Sequence, residues 1–130
     1  MAMREQLVEQ IREGCKVVAK ALGPGLTNEI YGNALALELE KLDLLVARCP
    51  SFEIHYQGIK VGDAQPDLIV EGTMMVQLKV GQAIEESDRA EATHNLKAAD
   101  LEDGLLVNFG RPEFEIQQIK HSPHRKPTRR

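Results

Sequence analysis

An aspartate, an amide and a lysine stand near the middle of the chain: Asp67, then Gln77 and Lys79 with one residue between them. A carboxylate, a second oxygen donor and an ammonium group on one patch suit metal-assisted phosphodiester hydrolysis. The carboxylate would hold Mg²⁺ or Mn²⁺, and the cation would polarise a phosphate and acidify a water. The lysine would position that water and offset developing charge. The plain alternative is a strand-start aspartate following Pro66 and a solvated strand lysine, since such spacings arise often by chance.

The three residues can act together only if the segment around them folds as a hairpin in one register. Side chains alternate faces along a strand, so Gln77 and Lys79 share a face with Met75. A two-residue turn would put Asp67 opposite Val76. A three-residue turn over Glu71-Gly72-Thr73 instead pairs Val70 with Met74 and sets Asp67 opposite Gln77. That second register also gathers Leu68, Val70, Met74, Val76 and Leu78 on the other, buried face. A slip of one residue would exchange the faces, so the apolar pattern and the polar cluster demand the same pairing.

The remaining elements follow from periodicity. Leu7, Val8, Ile11, Cys15, Val18, Ala19 and Leu22 recur at three- and four-residue spacing and predict a helix over 4–22, stopped by Gly23-Pro24-Gly25. Thr27 or Asn28 would cap a second helix running to about Leu44, with Ile30, Tyr31, Ala34, Leu35, Leu37, Leu39 and Leu42 inward. Arg48–Ser51 reads as a turn. The period then becomes two: Phe52, Ile54 and Tyr56 alternate with Glu53 and His55 before Gln57-Gly58, which predicts a hairpin over 52–61. Residues 85–99 read as a polar helix, 105–109 as an apolar strand and 114–118 as a last strand. The expected class is α/β, a mixed central β-sheet flanked by helices.

The 130 residues suffice for one domain, taken as 1–120, with a basic tail at 121–130 expected to lack order. The net charge of −4 conceals an asymmetry: five basic residues and no acid lie in 120–130, leaving 11 basic against 20 acidic residues before them. An acidic body is a poor general surface for nucleic acid but is compatible with carboxylates that recruit a cation. No apolar run is long enough for a membrane span, and the charged start MAMREQLV is unlike a signal peptide. Cys15 and Cys49, without metal-ligand spacing, predict free thiols in the cytoplasm.

Several runs together carry a family resemblance: Leu22–Tyr31 (LGPGLTNEIY), Ala34–Leu39 (ALALEL), Pro66–Lys79 (PDLIVEGTMMVQLK), Leu96-Lys97-Ala98 and Gly104–Phe109 (GLLVNF). In this order, over nearly the whole chain to about Ile119, they resemble the GxxExxY proteins of the PD-(D/E)XK nuclease superfamily. The resemblance implies a nuclease fold, a divalent cation and a nucleic-acid substrate. It also shows two departures. The motif glutamate falls at Asn28, and the Glu-x-Lys of the family is Gln77-Leu78-Lys79 here. An amide carbonyl can ligate Mg²⁺ but carries no charge, so Asp67 is the only sure anionic ligand.

Glu38 lies within the apolar arc of the second helix, where an unpaired carboxylate is costly. It would serve as a third ligand beside Asp67 and Gln77 or pair with a buried cation such as Lys79, or else pair with Lys41 on the same side of the helix. Glu91, His94 and Asn95 fall where the family has polar residues facing the cleft, with a solvated helix face as the alternative. Two functions follow: a divalent-metal-dependent nuclease using Asp67, Gln77 and Lys79, or a non-catalytic binding or oligomerisation module that keeps the fold. Nucleic acid and a second copy, paired through the 52–61 hairpin, are the expected partners; a membrane is not.

Overall fold

The 3.6-residue apolar repeat of the N-terminal segment winds α1 (Ala2–Leu22), which buries Leu7, Val8, Ile11, Cys15 and Val18 and leaves Leu22 exposed. The structure, a computed structural model, describes residues 2–122. The expected basic tail lies, beyond Ser122, outside the described residues. Thr27 caps α2 (Asn28–Glu40), its hydroxyl accepting from Ile30 N–H at 3.4 Å. Tyr31 fixes the approach to that cap: its hydroxyl donates to Gly23 C=O and accepts from Leu26 N–H, while its ring stacks on Phe109 at 4.8 Å.

α2 is shorter than its apolar pattern predicts. Asp43 turns left-handed (φ 63°) and Leu44 N–H reaches back to Leu39 C=O, so the helix closes at Glu40. Its buried stripe is correspondingly narrow: Tyr31, Gly32, Leu35, Ala36 and Leu39 are inside, whereas Ile30, Leu37 and Leu42, expected inward, are exposed. The chain released by this early stop forms β1 (Val46–Arg48), a short strand that reaches into the expected Arg48–Ser51 turn.

The 52–61 hairpin is confirmed and longer, as β2 (Phe52–Tyr56) and β3 (Ile59–Ala64), which form a separate two-stranded ribbon. β4 (Leu68–Val70) and β5 (Met74–Lys79) then pair antiparallel, with Leu68 opposite Val76 and Val70 opposite Met74. This is the three-residue-turn register. Glu71 and Gly72 both take positive φ (57° and 67°), and Thr73 N–H closes the turn on Val70 C=O. α3 (Glu86–Ala99) follows, then β6 (Asp103–Asn108) and β7 (Glu115–Lys120).

The main sheet has the order β1-β4-β5-β6-β7, and all its neighbours are antiparallel except β5 and β6. A parallel pair requires a crossover, and α3 is that crossover. Leu68, Val70, Met74, Val76, Leu78, Leu105 and Val107 pack with α1 and α2 on one face. Met75, Leu106 and Ile119 pack with Ala92 and Leu96 of α3 on the other. The result is three layers, helix–sheet–helix. The face of β5 that holds Gln77 and Lys79 therefore lies under α3.

Candidate active site

β4 begins at Leu68, so on that edge no strand residue is left to pair with the far end of β5, whose other edge pairs with β6. Side chains take over there. Asp67, one step beyond Leu68 and across from Gln77, accepts a hydrogen bond from Leu78 N–H on Oδ2 at 2.7 Å. Asn28, the first residue of α2, donates from Nδ2 to Leu78 C=O at 3.2 Å. Two residues from distant segments thus converge on one strand residue, between Gln77 and Lys79. Asp67 is half-buried and held from behind by Cys49 N–H, which donates to its carbonyl at 2.8 Å. Burial raises its carboxyl above the usual range; the Leu78 N–H opposes this and the charge of Glu91 adds to it.

The other side of the site is α3. Its Asn95 donates from Nδ2 to Gln77 Oε1 at 2.8 Å, and both side chains are more than nine-tenths buried. Lys79 Nζ donates to Asp88 Oδ2, which also accepts from Glu85 N–H at 2.8 Å in a capping box that starts α3. The Asp88 hydrogen bond raises the Lys79 ammonium. Burial pushes Asp88 up, but the Lys79 hydrogen bond, the Glu85 N–H and the charges of Lys79 and Arg89 outweigh it and leave the carboxyl lowered. The pair persists as ammonium and carboxylate at neutral pH.

A buried hinge fixes the loop between β5 and α3. The Asn108 side chain accepts from Gly81 N–H (3.1 Å) and Gly110 N–H (2.9 Å), and donates to Gly81 C=O (3.0 Å) and Glu115 Oε1 (3.0 Å). Glu115 Oε1 also accepts from Ile84 N–H at 3.2 Å. A Cβ on Gly110 would lie 2.2 Å from Gly81 O, so only glycine allows this approach. These bonds seat the start of α3, and hence Asp88, against Lys79.

The structure thus brings Asp67, Gln77 and Lys79 to one strand end and adds Asn28, Asp88 and Asn95. Glu38 is not brought there. It lies ten residues along α2 from Asn28, roughly 15 Å up the helix axis. Its Cβ sits near Gly14 of α1, and its carboxylate pairs with Lys41 at 3.2 Å, the local alternative. Among the described residues no three His, Cys, Asp or Glu side chains form a group that could hold a metal by themselves. What the site offers a hard cation is oxygen of mixed kind: the Asp67 carboxylate, the Gln77 amide and the nearby charge of Glu91. Gln77 Nε2 and Asn95 Oδ1 have no hydrogen-bond partner among the described residues, although both side chains are buried. Turning both amides over preserves their mutual bond and frees Gln77 Oε1, so the residues present fit such a cation.

A sequence model described as the PD-(D/E)XK nuclease superfamily matches residues 5–120. The chain belongs to this superfamily. No curated protein and no solved structure matches it. The mixed sheet between helices is consistent with a PD-(D/E)XK nuclease fold. Asp88 escaped the sequence reading, though Glu85-x-x-Asp88 is a capping-box spacing that could have marked both the helix start and a carboxylate near it. Asn108 had no local signal, since its partners lie in loops distant in sequence.

Proposed function

We propose that this protein is a divalent-metal-dependent nuclease that hydrolyses phosphodiester bonds, of the type of the GxxExxY proteins. The observation that carries the reading is the convergence of Asp67, Gln77 and Lys79 at the end of β5, where Asn28 meets the same strand residue. Asp67 would hold Mg²⁺ or Mn²⁺ with help from the Gln77 carbonyl. The bound cation would supply Lewis-acid chemistry toward a phosphate oxygen. Lys79 acts as a fixed positive charge and not as a base: Asp88 keeps it protonated, and two of its three N–H donors remain for a water or a phosphate oxygen. The buried Gln77–Asn95 pair shapes the floor between them.

Superfamily membership supports nucleic acid as the substrate. No helix among the described residues is long and apolar enough to cross a membrane. Cys15 and Cys49 are free, in keeping with a reducing cytoplasm, and burial pushes the Cys15 thiol up to about 12. We also propose a homodimer through the β2–β3 ribbon. Ile54, Tyr56, Ile59 and Val61 are exposed along it, and its two-stranded sheet has free edges that a second copy can extend.

The test is cleavage of single- and double-stranded DNA and RNA with Mg²⁺ or Mn²⁺. Cleavage should stop on chelation, disappear in Asp67→Ala and fall on the order of 10²-fold in Lys79→Ala. Cleavage unchanged by both substitutions would refute the assignment.

A further inference from the structure

The replacement of two expected carboxylates by Asn28 and Gln77 leaves a cation with one anionic ligand from the hairpin. The geometry of α3 supplies another. Asp88 and Asn95 both face β5, the first bonded to Lys79 and the second to Gln77. Glu91 stands three residues after Asp88 and four before Asn95, so all three lie on one helical stripe. The stripe runs antiparallel to the polar positions of β5, which sets Glu91 between the Lys79 and Gln77 levels. Glu91 is exposed and forms no hydrogen bond or ion pair among the described residues. Its charge acts on the Asp67 carboxyl across the cleft.

We infer that Glu91 is the second carboxylate of the cation site, reaching from α3 to do what Asn28 and Gln77 cannot. This rests on the metal-dependent reading above and deepens it by naming a ligand outside the two hairpin strands. Three observations support it independently of one another. The contacts of Asp88 and Asn95 fix which way the stripe faces. Asp67 Oδ1 has no partner among the described residues, so one carboxylate oxygen stays available. The buried amides of Gln77 and Asn95 carry unpartnered polar atoms beside the same stripe, a cost that a ligand or its water shell would relieve. Two carboxylates facing one another also repel when no cation is bound, which binding would turn into attraction.

The experiment is calorimetric titration of the full chain with Mn²⁺, with thermal melting at fixed Mn²⁺ as a second readout that needs no activity. Glu91→Gln, nearly isosteric and on an exposed position, should weaken Mn²⁺ binding at least tenfold. It should melt no lower than wild type without cation, because a repulsion has been removed, and gain less from added Mn²⁺. Asp67→Asn should abolish binding, and Glu86→Gln, five residues before Glu91 on the same helix and paired with Arg89, should bind as wild type. Wild-type affinity in Glu91→Gln together with loss in Asp67→Asn overturns this inference and leaves the nuclease reading standing. Binding that needs both carboxylates in a protein that cleaves no nucleic acid does the reverse. A wild type that takes up no Mn²⁺ overturns both.

Discussion

Lys79 is positioned by what its neighbour lacks. A Cβ on Gly81 would lie 2.6 Å from Lys79 Cε and meet nothing of the backbone, so the lysine stem occupies the space that glycine leaves. Gly81→Ala should therefore displace a flexible side chain and little else. The expected outcome is a tenfold or larger fall in cleavage rate, with Mn²⁺ affinity kept and the melting temperature within a few degrees of wild type, checked by single-turnover kinetics beside calorimetry. At this scale the sequence was informative about Asp67, Gln77 and Lys79, because strand alternation and a turn register are local rules. It misplaced Glu38, because an apolar arc says which side of a helix is inward and not how far along it the site lies. Of the partners supplied by α3, the family resemblance marked Glu91 and Asn95 and left Asp88 unmarked; the bond from Asn95 to Gln77 was not legible, because it spans two elements whose relative rotation depends on packing, not on periodicity.

Among the elements, β5 is where the polar requirements of the site and the apolar requirements of the core coincide. Its alternate residues serve α1 and α2 on one side and α3 on the other, which is why Met74, Met75, Val76, Gln77 and Leu78 are all buried. The alternation was legible in the sequence, but which helix covers the polar face was not legible from periodicity, since the crossover appears only once β6 is known to run parallel. α2 shows the opposite error. Leu42 and Leu44 extend its apolar pattern, yet the left-handed Asp43 ends it, and the released chain becomes β1. The loop from β5 to α3 depends on Asn108, which is fully buried and has all four hydrogen bonds of its amide in use. Asn108→Ala strands two N–H groups, a carbonyl and part of a carboxylate, and should cost about 3 kcal/mol. Urea unfolding checks this, and a loss under about 1 kcal/mol would show that the loop is held by other contacts.

For the molecule as a whole, the ribbon of β2 and β3 is the feature least explained by one copy. Its charged side carries its own ion pairs, Lys60 with Glu53 and Asp63, whereas Tyr56 and Ile59 at the tip are about two-thirds exposed. Light scattering on the purified protein should give the mass of a dimer, and Tyr56→Glu with Ile59→Glu should return the monomer without lowering its melting temperature. A monomeric wild type at tens of micromolar would remove the dimer from the account.

The central claim is that the end of β5 and the facing stripe of α3 hold a divalent cation. A crystal grown with Mn²⁺ and measured for anomalous scattering tests it most directly. The account predicts a peak in the cleft bounded by Asp67, Gln77 and Glu91, with Lys79 still on Asp88 beside it. An ordered cation bound elsewhere, for instance against Glu38 between α1 and α2, with this cleft empty, would contradict it.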